Sequence, residues 1–243
     1  MARFWGGRGT KMIKELGSYI GIQKLGSGMD RTLTEKELKA GKHRKWVGGD
    51  WEKKGKIQLD FLKQRGLLPE HRLLDVGCGV LRGGIHFIDY LEAGNYYGIE
   101  ARKSHIKAGK WELEQARIDH KSPHLLVNDA FEVEIFDCSF DYALALSLFT
   151  HLDLNKIIRC LYKVGRVLKE DGEFYATFFE ASGRAHLDPI PRSKKGKIFT
   201  YYDKDPYHYA FSELKWAARN AGMEAIYIGA WEHPSQKMAL FTR

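Results

Sequence analysis

Between residues 55 and 180 the apolar residues change period in a regular alternation. An extended run at 72–76 gives way to a helical one at 81–91, then extended 95–99, helical 105–116, and extended 125–128 and 140–148. A helix at 153–168 and an extended run at 173–179 follow. Period two puts alternate side chains on opposite faces of a strand, and period 3.6 lines up one face of a helix, so each run is one kind of element. Strands separated by ten- to fifteen-residue helices must be joined by crossovers, which pair them in parallel. A further helix at 211–221 and two extended runs at 225–229 and 238–242 predict a closing antiparallel pair. The pattern therefore predicts an α/β protein with a doubly wound, seven-stranded, mainly parallel sheet, and excludes helix bundles and all-β folds.

Three segments stand outside this alternation. Residues 10–25 place Met12, Leu16, Tyr19 and Ile20 at helical spacing, weakened by Gly17 and Gly21, which predicts an amphipathic arm. Residues 56–65 form a helix that starts near Trp51 and stops at Gly66. Between Glu180 and Tyr209 periodicity disappears, and long irregular stretches inside a domain are usually lids or binding loops. The domain plan is a basic N-terminal extension, 1–50, and a core domain, 51–243, with a lid insertion at 180–209. Net charge is +8, and the first 60 residues hold 14 lysines and arginines against 7 acids, so the basic character is N-terminal. A basic leader suits nucleic acid or an anionic membrane surface, or is a solvated face. Three separated cysteines give neither a disulfide framework nor a zinc site. With no apolar run long enough to span a bilayer and no secretory core at Met1–Arg8, a cytoplasmic location is expected. No feature sets an oligomeric state.

The sharpest local signal is Leu73-Leu-Asp75-Val-Gly77-Cys78-Gly79, a buried strand entering a glycine turn and then a helix. Glycines there let a ligand approach the backbone. Twenty-one residues past Gly79, the next strand ends in Glu100, placed to accept hydrogen bonds from both ribose hydroxyls. A dinucleotide site would require glycine at position 82, where this chain has Arg82, so the pattern favours a nucleoside without phosphates. After the third strand, Asn128-Asp129-Ala130-Phe131 offers a carboxylate for an adenine amino group beside apolar neighbours for the ring.

These residues resemble the class I S-adenosylmethionine (SAM)-dependent methyltransferases, which have a Rossmann-like fold. Residues 73–79 look like the family's first motif, Glu100 with Ala101 its ribose-binding acid and neighbour, and Asp129-Ala130 its adenine-contacting pair. Residues 140–147, ending in Ser147, look like its fourth-strand motif, and 168–173 like the turn into its fifth strand. The resemblance implies SAM as cofactor, bound by Asp75, Gly77, Cys78, Gly79, Glu100, Ala101, Asp129, Ala130 and Ser147. The flanks, Trp46-Val-Gly-Gly and Asp205-Pro-Tyr-His-Tyr, resemble small soluble prokaryotic members. Trp46 either covers the sulfonium through cation–π attraction or packs as part of a cap.

Methyl transfer needs an aligned acceptor and a place for its proton. His151, just past the fourth strand, is the candidate base, with capping of the helix at 153 as the alternative role. His186, His208 and His233 are further candidates, His208 first among them because it lies among tyrosines of the insertion. Arg192, with Lys194, Lys195 and Lys197, and Tyr201 and Tyr207 supply charge and flat faces for an acceptor. Asp137, Asp141 and Asp153 have no spacing that marks a metal site, and none is expected. The expected activity is O-methylation of a small molecule or of a sugar or glycolipid hydroxyl. The alternatives are an RNA methyltransferase, which the basic residues interleaved with aromatics favour and the missing Asn/Asp-Pro-Pro-Tyr/Phe motif disfavours, and a noncatalytic SAM-binding subunit.

Overall fold

The computed structural model describes residues 30–48, 50–181, 187–192 and 198–243. The arm expected at 10–25, His186, Lys194, Lys195 and Lys197 lie outside these residues. The chain opens with α1 (Glu35–Lys39), a 3-10 turn (Lys42–Val47) and α2 (Trp51–Gln64). The sheet core then runs β1 (Leu73–Val76), α3 (Gly84–Tyr90), β2 (Tyr96–Glu100), α4 (Lys103–Ala116), β3 (His124–Val127), β4 (Phe140–Ala145), α5 (Leu154–Val167) and β5 (Leu168–Phe178). A two-residue pair, β6 (Ile190–Pro191) and β7 (Phe199–Thr200), lies within the insertion, followed by α6 (Phe211–Asn220), β8 (Glu224–Ala230) and β9 (Lys237–Thr242).

Seven strands form one sheet in the order β3-β2-β1-β4-β5-β9-β8. The first five are parallel, and β9 runs antiparallel to both β5 and β8. This is the Rossmann-like arrangement that the alternation predicts. Successive residues of a strand serve opposite layers. Leu73, Leu144 and Tyr175 join a core with α2, α3 and α4, whereas Leu74, Ala143 and Phe174 join one with α5 and α6. Because both faces are covered, the β1 run is buried at every position.

Sequence expectation and structure differ at several boundaries. The helix expected from 81 begins at Gly84, since Leu81 itself takes a left-handed backbone, φ 63°, and extends the turn. The fourth strand stops at Ala145 rather than 148, because Ser147 has φ 56° and leaves the ladder. The fifth strand is longer than expected: Leu168 pairs with Phe140 and Glu173 with Tyr142, so residues 169–172 form an irregularity within the strand. Helix α1 was not expected. Its signal is Thr34-Glu-Lys-Glu37, a capping box in which the Thr34 side chain accepts from the Glu37 N–H while Glu37 accepts from the Thr34 N–H.

The strand order reverses between β1 and β4, and outside the carboxyl ends of such strands open α/β sheets bind ligands. The glycine turn, Glu100, Asn128–Phe131, Ser147–His151 and Phe179–Ala181 all follow strand ends on this one edge. Leu33, Leu38 and Trp51 pack against Val80 and Ala108 beside it.

Candidate active site

The floor of the site is the turn after β1. Gly77 and Gly79 have φ of 79° and 59°, a left-handed backbone that side-chain-bearing residues rarely adopt. A Cβ on Gly79 would come within 3.3 Å of Val47, and one on Gly77 within 3.1 Å of Leu148. The N–H groups of Gly77 and Cys78 both donate to the Ile99 carbonyl, pinning the turn to β2. Beneath it Asp75 is buried and accepts from the Tyr96 hydroxyl at 2.7 Å. Burial pushes the Asp75 carboxyl up to about 7; the Tyr96 bond opposes this and the Glu100 charge adds to it. Burial also pushes the Cys78 thiol well up, so it stays a protonated, apolar wall.

Glu100 ends β2 at the rim. Its Oε2 accepts from the Gly79 N–H at 3.1 Å, its Oε1 from the Arg102 N–H at 3.0 Å, and His105 Nδ1 lies 3.3 Å from Oε1. Burial alone would raise this carboxyl, but His105 and the two N–H groups outweigh it and hold it below the usual range. It is therefore an ionised acceptor, and Oε2, which takes only the Gly79 N–H, keeps a lone pair for a ribose hydroxyl. Trp46 stacks on His105, with ring centroids 5.1 Å apart. Arg82, at the position where a dinucleotide site needs glycine, donates through Nη1 to the Val47 carbonyl and ties the 42–47 turn down beside Gly79. That turn is fixed from its other end by buried His43, whose Nε2 meets Glu112, which Arg44 also engages at 2.6 Å.

Asn128 donates its N–H to the Glu100 carbonyl, and its side-chain oxygen accepts from the N–H groups of Ala130 and Glu132, each at 3.0 Å. This Asx turn leaves Asp129 exposed at the edge, Ala130 half-buried and Phe131 buried with φ 60°. Ala101 is exposed beside Glu100. On the other side of β1, the Ser147 N–H donates to Thr177 Oγ1 at 2.7 Å, and its hydroxyl accepts from the Gln236 side-chain amide at 3.0 Å.

Of the histidines, His151 sits on the 3-10 turn Phe149–His151, with its side chain 57% exposed and Nδ1 2.6 Å from Asp205 Oδ1. It does not cap the next helix: Asp153 does, accepting from the Lys156 N–H at 3.0 Å. His208 is fully buried, its Nδ1 2.9 Å from Thr200 Oγ1, and it packs inside the insertion. His233 stacks on Trp231, and its Nδ1 accepts from the Gln236 N–H at 3.0 Å. Burial, together with Lys54 and Arg82, pushes that ring down to about 4, so it is neutral at physiological pH.

The described part of the insertion returns to this edge. Arg192 lies over the Phe179 ring, 5.1 Å from its centroid, and its Nε donates to Thr200 Oγ1. Tyr207 stacks on Tyr209, its N–H donates to the Thr150 carbonyl at 2.7 Å, and the Tyr209 hydroxyl donates to the Leu152 carbonyl at 2.6 Å. Tyr201 is half-buried under Lys204. Among the described residues no group of three or more His, Cys, Asp or Glu side chains is arranged to hold a metal, and the three cysteines are free. Within the same residues no helix is long and apolar enough to cross a membrane.

The strand-end segments named from the sequence gather on one edge, and sequence reasoning passed over His105, Gln236, Thr177 and Asp205, which contact the named residues there. Only Asp205 lay in a segment already singled out.

Comparison with known proteins agrees with this geometry. Residues 74–174 match the family model of a methyltransferase domain. A SAM-dependent methyltransferase from Clostridium acetobutylicum superposes with a TM-score of 0.61 at 11% identity, over 86% of this chain and 99% of that one. The magnesium protoporphyrin IX methyltransferase of Synechocystis with bound SAM gives 0.55 at 10%, over 99% and 100%. The CcbJ methyltransferase of Streptomyces caelestis gives 0.59 at 12%, over 77% and 88%. Residues 74–174 thus match a methyltransferase domain, and the chain has the fold of the SAM-dependent methyltransferases to which it is similar.

Proposed function

We propose that this enzyme methylates a hydroxyl oxygen of a small molecule, a sugar or a glycolipid, with His151 as general base. When bound, SAM supplies an electrophilic methyl group on a sulfonium. Gly77, Cys78 and Gly79 form the backbone against which it lies, with Asp75 below them. Glu100 and Ala101 take the ribose, Asp129 and Ala130 the adenine, and Ser147 and Trp46 flank the methionine end. The ionised Glu100 carboxylate, with a free lone pair on Oε2, and the two left-handed glycines fit such a ligand.

The observation that carries the assignment of the base is the placing of His151. It follows β4 at the switch point, its capping role is filled by Asp153, and its Nε2 makes no hydrogen bond among the described residues. A neutral hydroxyl needs a proton acceptor within hydrogen-bond reach as it attacks. His208 is enclosed and His233 is engaged through Nδ1, so neither offers a comparable free nitrogen at the rim. The insertion at 180–209 serves as the acceptor's lid, with Arg192 for an acidic group and Tyr201 and Tyr207 as faces against a ring. Residues 1–50 act as a basic extension to the catalytic domain 51–243. A cytoplasmic, reducing location accords with the free cysteines.

The test is a SAM-dependent screen of sugars, phenols, hydroxy acids and RNA with mass detection of methyl gain, followed by His151→Ala on the compound found. Turnover should fall by roughly two to four orders of magnitude with SAM affinity unchanged. Methylated RNA with no small-molecule product would overturn the acceptor class, and full turnover in the variant would overturn the base.

A further inference from the structure

We propose that Asp205, held beside the sheet edge by residues 201–209, is a positioning residue for His151. The inference rests on His151 being the base. The two residues are 54 apart in sequence, yet Asp205 Oδ1 lies 2.6 Å from His151 Nδ1. Backbone bonds on either side of the pair hold that distance. The Thr150 carbonyl accepts from the Tyr207 N–H at 2.7 Å, the Leu152 carbonyl accepts from the Tyr209 hydroxyl at 2.6 Å, and the Tyr209 N–H donates to the Phe179 carbonyl at 2.9 Å. Within the insertion, Tyr201 accepts from the His208 N–H and donates to the Pro206 carbonyl, closing the loop that presents Asp205.

A carboxylate at Nδ1 does two things to an imidazole. It selects the Nδ1–H tautomer, which leaves the lone pair on Nε2, and it stabilises the imidazolium once Nε2 has taken a proton. In the transfer, the acceptor oxygen forms its bond to the methyl carbon while the carbon–sulfur bond breaks and its electron pair stays on sulfur. The hydroxyl proton passes to His151 Nε2, Asp205 balances the new charge without being protonated, and the proton then leaves to water. The other charged groups around this corner are Asp153, Lys156 and Asp203, which with Asp205 surround Tyr207, and Lys156 is engaged by Asp153 at 3.0 Å. Asp205 is the carboxylate in contact with the ring. With its side chain 40% exposed and its partner's 57%, the pair adds little to folding stability, so removing Asp205 leaves the fold intact.

The test uses the full chain. In protein labelled with nitrogen-15 at histidine, nuclear magnetic resonance above neutral pH should report the Nδ1–H tautomer for His151 in the wild type and a shift toward Nε2–H in Asp205→Ala, with an unchanged melting temperature. On the hydroxyl compound identified by the screen, Asp205→Ala should lower kcat by roughly ten- to a hundredfold with KM and SAM affinity within about twofold, and Asp205→Glu should recover part of the loss. An inactive His151→Ala alongside an Asp205→Ala of wild-type kcat and tautomer would overturn the role of Asp205 and leave the base standing. An active His151→Ala would remove the base itself.

Discussion

Asp75 offers a test of how the glycine turn is built, because its proton is tied to the fold. In the unfolded chain this carboxyl ionises near 3.8, whereas burial in β1 raises it to about 7. The folded state therefore holds the proton more tightly than the unfolded state does. The associated stability is fully present below about pH 4, falls as pH rises through the window between the two values, and is gone above about pH 7. A shift of about 3 units at ~1.4 kcal/mol each amounts to about 4 kcal/mol. Asp75→Asn keeps the shape and an oxygen for the Tyr96 hydroxyl, now bonded at 2.7 Å, and removes the charge. Variant minus wild-type unfolding free energy should then climb by about 4 kcal/mol between pH 4 and pH 8, at ~1.4 kcal/mol per pH unit, and flatten beyond. Guanidinium melts followed by tryptophan fluorescence, at fixed salt and half-unit pH steps, measure it. Groups that titrate alike in both proteins cancel in the difference. A difference that stays flat across that window would show that Asp75 is ionised in the fold without penalty, and the account of the buried turn would fail.

Two further outcomes concern the ligands. Glu100→Ala removes the charged acceptor proposed for a ribose hydroxyl, such a bond contributing roughly 1.5–3 kcal/mol, so SAM affinity by calorimetry should drop by a factor of about ten at the least; Gly79→Val, strained at φ 59° and pressed against Val47, should abolish it in protein that still folds. Removing residues 1–25 deletes Arg3, Arg8, Lys11, Lys14 and Lys24 against only Glu15, so co-sedimentation with anionic vesicles should weaken and lose its salt dependence, and equal binding by both chains would reduce that charge to a solvated face.

What could be read in the sequence follows from which forces act locally. Alternating period and the Leu73–Gly79 turn are local, and they gave the sheet, its parallel core and the edge on which the candidate residues gather. Boundaries failed where a backbone dihedral, not burial, ends an element. Phe140–Leu148 is apolar nearly throughout, yet Ser147 turns left-handed once its N–H is taken by Thr177, thirty residues on, and the strand stops short. Helix α1 shows the reverse case, since its capping box is legible in four residues and was passed over for want of an apolar stripe.

The ordering of the site was harder to read for a different reason. Residues that touch a ligand follow strand ends and so have fixed sequence addresses, whereas the residues that hold them come from wherever the fold returns. His105 steadies Glu100 from within a helix, where nothing in its spacing sets it apart from other histidines. Arg82, which from the sequence only argued against a dinucleotide site, also ties Val47 beside Gly79. The same logic reassigns the insertion's histidine. His208 drew attention because it lies among tyrosines, but a ring packed so deeply against Thr200 serves to shape the loop, and that loop in turn carries the exposed Asp205 to His151. The aromatic cluster acts through the bond from the Tyr207 N–H to the Thr150 carbonyl and from the Tyr209 hydroxyl to the Leu152 carbonyl, which set the distance between His151 and Asp205.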